Sequence, residues 1–170
     1  MPQPASHSDR PFAAWRRFAW RDGVLVLSTV LLWCFVLTQT APRWVEISCG
    51  LLTGLCALQF HEWGHLIGGL KSRAELYPPR RLMSPFLFGI DATRTTHAQF
   101  LSLTWPAFAA TAIYITLFAV FAPQEHLAGR ITLGMGAITA SLTLIIEVPI
   151  AMFVLHTKKV PNTALFKPSN

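Results

Sequence analysis

The chain has 170 residues, of which 52% are hydrophobic and only 13% charged, with a net charge of +6. A soluble domain carries about 25% charged residues, so this composition excludes an ordinary water-soluble globule and places most of the surface against lipid. Twelve of the 14 basic residues fall in three clusters, Arg10 to Arg21, Lys71 to Arg94 and Lys158 to Lys167, with apolar stretches between them. That is the pattern of charges flanking membrane spans. No basic face is interleaved with base-reading polar residues, which excludes nucleic acid as a partner.

Residues 1–22 are polar, with Pro2, Pro4 and Pro11, and Phe12, Trp15, Phe18 and Trp20 alternate with arginines. This predicts a cytoplasmic segment lying on the headgroups. The first apolar span covers roughly 23–40. Thr40-Ala41 is followed by Pro42, so a retained anchor is expected in preference to a cleaved signal peptide. Further spans are predicted at roughly 45–70, 100–121 and 131–156, each near the ~20 residues a bilayer requires. Pro78, Pro79 and Pro85 exclude a helix between the second and third spans. The run Phe86-Leu87-Phe88-Gly89-Ile90 there reads as a short strand. The expectation is an all-α membrane protein of four transmembrane helices, with an irregular or β-hairpin segment between helices 2 and 3. Residues 23–156 form the membrane domain and 157–170 a cytoplasmic tail. Both termini and the central segment would lie in the cytoplasm. Cys34, Cys49 and Cys56 all fall inside spans and read as packing residues.

The second span contains His61-Glu62-Trp63-Gly64-His65. Histidines four apart lie one turn apart on the same helix face, so both rings can reach one Zn²⁺, and the intervening glutamate can take a proton from water. Gly50, Gly54 and Gly69 share nearly the same face. Small residues there let a partner helix approach, which keeps lipid from the site. A plain packing stripe that happens to carry two histidines is the rival. His and Glu are rare inside membranes, which favours the metal site. A catalytic zinc uses three protein ligands and an open position. Glu147 is the acidic residue inside another span. His61 precedes Lys71 by ten residues and Glu147 precedes Lys158 by eleven. At about 1.5 Å per residue, both lie about 15 Å inside their basic anchors. Glu147 is therefore the expected third ligand, with Asp91 or His97 next in line. His7, His126 and His156 read as tail, loop and interfacial residues, and Trp105-Pro106 as a helix kink.

These residues resemble the site-2 protease family of intramembrane zinc metalloproteases. Residues His61 to His65 match its HExGH signature, and Gln99 to Ala107 resembles its second segment, with Trp105 in place of a glycine. The resemblance covers about 45–156. It implies an integral protein of a prokaryotic cytoplasmic membrane that binds Zn²⁺ and cuts a transmembrane protein substrate. It also implies that the segment after the motif, here Leu87, Phe88, Gly89 and Ile90, receives that substrate in extended form. The chain departs from the family pattern in having no Leu-Asp-Gly and no Asn within a span. A catalytically inactive subunit that keeps the fold and binds a membrane-protein partner or a second copy is the alternative. A diiron hydroxylase would need more than the six histidines present. A bis-histidine haem would need a second histidine at the depth of His61, which His156 does not supply.

Overall fold

The structure, a computed structural model, describes residues 13–38 and 40–161. His7, Arg10, Phe12, Lys167 and the N-terminal prolines lie outside the described residues. A 3-10 turn, Ala13–Trp15, leads into α1 (Arg16–Thr38). Helix α2 (Arg43–Lys71) is followed by strands β1 (Leu76–Tyr77) and β2 (Gly89–Ile90), then α3 (His97–Phe121). The last rod comprises α4 (Leu127–Leu142), a π-helical turn over Thr143–Glu147, and α5 (Val148–Thr157).

Three rods are long and apolar enough to cross a membrane: α1, α3 and the continuous stretch Leu127–Thr157. Their outward faces carry exposed Leu27, Val30, Leu31, Ile113, Leu117 and Ile145, as expected of helices solvated by lipid. Helix α2, at 29 residues, is also long. Its glycines and its polar residues Gln59, His61, Glu62 and His65 lower its hydropathy, and these four are buried. It is the central element, packing against α1, α3 and α4.

Glycine sets how closely its neighbours come. A Cβ on Gly64 would lie 2.7 Å from Ala107 Cα and 2.8 Å from the Pro106 carbonyl oxygen, and one on Gly50 would lie 2.8 Å from the Ala128 carbonyl oxygen. Any larger side chain at Gly64 would push α3 away from the His61–His65 turn. Hydrogen bonds fix the same contacts. The Tyr114 hydroxyl donates to the Thr53 carbonyl (3.0 Å) and Trp33 Nε1 donates to Thr53 Oγ1 (2.9 Å). Glu46 accepts from the Ala128 amide (3.3 Å) at the start of α4, where exposed helix N–H groups favour a carboxylate.

Helix α2 ends at Lys71 in a reversal with Arg73 at φ 57°. Gln99 then performs two local tasks. It completes a capping box with Thr96 at the start of α3, and its Nε2 donates to the Arg73 carbonyl (3.1 Å). Strands β1 and β2 pair antiparallel, Leu76 with Ile90 and Tyr77 with Gly89.

Two boundaries differ from the sequence expectation. Helix α1 begins seven residues before Gly23, and Trp15 and Phe18 are buried with Leu66 and Leu87, not spread on headgroups. Among the described aromatics of this segment, Trp20 alone is exposed, at 71%. The strand is confined to Gly89–Ile90, because the peptide groups of 86–87 are engaged by side chains: Phe86 O accepts from Ser84, Leu87 N donates to Glu62 and Leu87 O accepts from Trp15.

Candidate metal centre

Two elements, α2 and the π turn, bring the ligand candidates together. On α2, His61 and His65 stand one turn apart, their rings nearly perpendicular with centroids 4.6 Å apart. Glu147 closes the set from the π turn. The Val148 amide donates to the Thr143 carbonyl five residues back. Pro149 has no N–H to give the Ile145 carbonyl, so the α ladder is interrupted where Glu147 must face inward.

The distances are short. His61 Nε2 lies 3.0 Å from Glu147 Oε1, His65 Nε2 lies 3.3 Å from Glu147 Oε2, and the two Nε2 atoms are 3.0 Å apart. One ligand atom from each residue falls within a 4.8 Å cluster that could hold a metal ion. The far side of each ring is fixed. His65 Nδ1 is 3.1 Å from the Leu103 carbonyl, which can only accept, so the proton of the neutral ring sits on Nδ1. His61 Nδ1 is 2.7 Å from the Thr111 hydroxyl. The Leu103 carbonyl thereby leaves the His65 Nε2 lone pair free to turn toward Glu147, while the Thr111 hydroxyl, able to donate or accept, orients the His61 ring in either tautomer. Glu147 Oε2 is buried and accepts no hydrogen bond among the described residues. The His65 lone pair, the His61 Nε2 atom and the carboxylate at these separations are held together by a cation or a shared proton. Two histidines and one glutamate are also a donor set used by catalytic zinc, with the fourth position left to water.

Glu62 lines the same cavity, of about 370 Å³, with His61, His65 and Glu147. Its Oε2 accepts from the Leu87 amide at 3.2 Å. The remaining wall is mostly apolar, including Phe86, Phe88, Ile90, Leu142, Ile146 and Ile150, with Thr139 and Thr143 among it. Of the four residues expected to receive a substrate, Phe88, Gly89 and Ile90 line the cavity. Leu87 does not; it is 0% exposed, and both of its peptide groups are bonded internally. Phe88 packs edge-on against His65, ring centroids 5.9 Å apart.

The reserve candidates stand elsewhere. Asp91 Oδ1 accepts from the Thr93 amide and hydroxyl. The hydroxyl above all, then the amide, holds its carboxyl below the ordinary aspartate range. His97 opens α3, His126 precedes α4, and exposed His156 Nδ1 lies 2.8 Å from the Met152 carbonyl. Sequence reasoning did not find Thr111, the Leu103 carbonyl or Trp15. A threonine and an apolar helix carry no signal for the backbone or hydroxyl group they offer a histidine.

Protein-family models, curated proteins and solved structures contain no match to this chain. Its function therefore rests on the chemistry of its own atoms.

Proposed function

We propose that the chain is a four-span membrane metallohydrolase that cuts peptide bonds of membrane-embedded substrates. The observation that carries this is the convergence of His61 Nε2, His65 Nε2 and the Glu147 carboxylate beside Glu62 in one apolar cavity. In this proposal α2 is the fourth span, its polar face covered by α3 and the final rod.

Zinc held by His61, His65 and Glu147 would act as a Lewis acid and lower the pKa of water to about 7. The Leu103 carbonyl and the Thr111 hydroxyl keep the two rings oriented for that role. Glu62 moves the proton. Leu87 N–H restrains Oε2, which leaves Oε1 to accept a proton from water and return it to the departing amine. Strand β2 has one strand neighbour among the described residues, so its other edge can pair with an unwound substrate segment. Such pairing supplies backbone hydrogen bonds that lipid cannot. The apolar wall around Phe88 and Ile146 suits the side chains of a transmembrane segment.

The test is hydrolysis of a fluorogenic polypeptide with a single apolar span, reconstituted with the chain in liposomes. Cleavage that disappears with a zinc chelator, returns with zinc and is absent from Glu62→Gln supports the function. Zinc bound with no cleavage of any spanning substrate would move the chain to a partner-binding role.

A further inference from the structure

The group that restrains Glu62 lies outside the motif. The Leu87 backbone is held on both sides of its Cα: the N–H of the 86–87 peptide donates to Glu62 Oε2 (3.2 Å) and the carbonyl of the 87–88 peptide accepts from Trp15 Nε1 (2.8 Å). The Leu87 side chain is sealed among Trp15, Phe18 and Leu66, so neither peptide can turn about the Leu87 Cα without breaking the cluster or a hydrogen bond. Trp15 stands immediately before α1, 72 residues from Leu87 in sequence. The rest of α1 holds the same segment. Arg17 donates to the Pro79 and Arg80 carbonyls, and Arg21 donates to those of Leu82 and Ser84, each at 2.7 Å. Arg21 is itself oriented by Asp22 (2.7 Å) and Gln59 (2.7 Å), and the second Asp22 oxygen accepts from Trp63 Nε1 inside the motif (2.8 Å). Segment 79–87 belongs to neither strand, and donors on α1 fix its position.

We propose that Trp15 is a positioning residue for Glu62, acting through the Leu87 backbone, so that the turn leading into α1 is part of the hydrolytic centre and not only the start of a membrane anchor. The inference rests on Glu62 being the proton carrier. A glutamate has three rotatable bonds, and a proton carrier works only in the fraction of conformers that point at the water. A donor fixed in space selects that conformer. Loss of the indole N–H frees the 87–88 peptide to turn about the Leu87 Cα, which loosens the Leu87 backbone and, through its N–H, Glu62. The metal ligands keep their own supports at Thr111 and Leu103.

The experiment replaces Trp15 by benzothienylalanine, which keeps the shape of the side chain and substitutes sulfur for N–H. Trp15→Phe serves as an independent second variant should the first fold poorly. Exchange of the Leu87 amide and the resonance of isotopically labelled Glu62 carboxyl carbon are read in the full chain, alongside zinc content and hydrolysis of the spanning probe. Leu87 exchange is expected to accelerate about tenfold, the size expected for one lost hydrogen bond. The Glu62 resonance is expected to move, zinc content to stay unchanged, and kcat to fall about tenfold at constant KM. Phe18→Leu trims the same cluster without removing either hydrogen bond and is expected to leave the Glu62 resonance in place. Unchanged Leu87 exchange and Glu62 resonance in both Trp15 variants would overturn the proposal, as would an equal displacement by Phe18→Leu. The two spectroscopic readouts need no turnover. A chain that never cleaves a substrate would defeat the hydrolase function while leaving the Trp15–Glu62 coupling decided on its own.

Discussion

Glu62 and Glu147 are carboxylates in one cavity, and their surroundings give them different work. Glu147 meets two imidazole nitrogens and has one oxygen with no hydrogen-bond donor among the described residues. Glu62 accepts a backbone N–H and meets no ring nitrogen within ion-pair distance among the described residues. Their substitutions should therefore fail differently. Glu62→Gln removes the proton carrier and leaves the ligand set intact. Zinc content should stay at the wild-type level while turnover falls by about 10²–10⁴-fold, the usual contribution of a general base. Glu147→Gln replaces a charged ligand by a neutral amide, so zinc affinity should fall first, measured by competition with a chromophoric chelator. Wild-type affinity in Glu147→Gln would place the third ligand elsewhere. The two histidines and Glu62 are legible from spacing alone, and Glu147 from the count of residues to its basic anchor. Trp15 escapes such reading because its contribution is one N–H delivered to a backbone carbonyl, at a position whose sequence context resembles an interfacial tryptophan.

Helix irregularity aims Glu147. Between α4 and α5 the ladder passes through a π turn, with Pro149 unable to restore the i→i−4 bond. Residue for residue, a regular α-helix would place Glu147 about 100° around the axis from an offset of one position. Pro149→Ala supplies the missing N–H and favours the α register. We expect it to keep the helix content and weaken zinc binding by about 10–100-fold, the range seen when groups supporting a ligand are altered. Unchanged affinity would show that the turn does not depend on the proline. At the other contact, Gly64→Ala places a methyl against the Ala107 backbone. It should lower stability by about 1–3 kcal/mol, read as a reduced thermal midpoint in detergent. The rods themselves are legible in the sequence, because long apolar runs bounded by Pro42, the 78–85 prolines and Pro123 leave few alternatives. The π turn is not legible, since Thr143 to Glu147 has the composition of any lipid-facing helix. The strand expected over 86–90 shrinks to two residues because the side chains of Trp15, Glu62 and Ser84 take the peptide groups of 86–87 before a ladder can.

Across the whole molecule, polarity is concentrated on one helix. Helix α2 carries the histidines and Glu62 on a surface enclosed by α1, α3 and α4, while the three rods around it are apolar outward. Hydropathy alone counts three spans for that reason, and burial of the polar face supplies the physical case for a fourth. In the proposed four-span arrangement, the basic clusters at 10–21, 71–94 and 158–167 would put the termini and the 72–96 segment on the cytoplasmic face. Phosphatase and fluorescent reporters fused at 75 and at 124 should report opposite sides of the membrane, with 75 inside. The reverse assignment, or both on one side, would remove α2 from the bilayer. The central claim is more local: one zinc per chain, held by His61, His65 and Glu147. Its most direct test is elemental analysis joined to X-ray absorption at the zinc edge, on the purified chain and on His65→Ala. The account predicts one equivalent of zinc in the wild type, with imidazole nitrogen and carboxylate oxygen at about 2.0–2.2 Å, and loss of most of it in His65→Ala. Equal zinc in both proteins, or none in a wild type purified with zinc present, would contradict it.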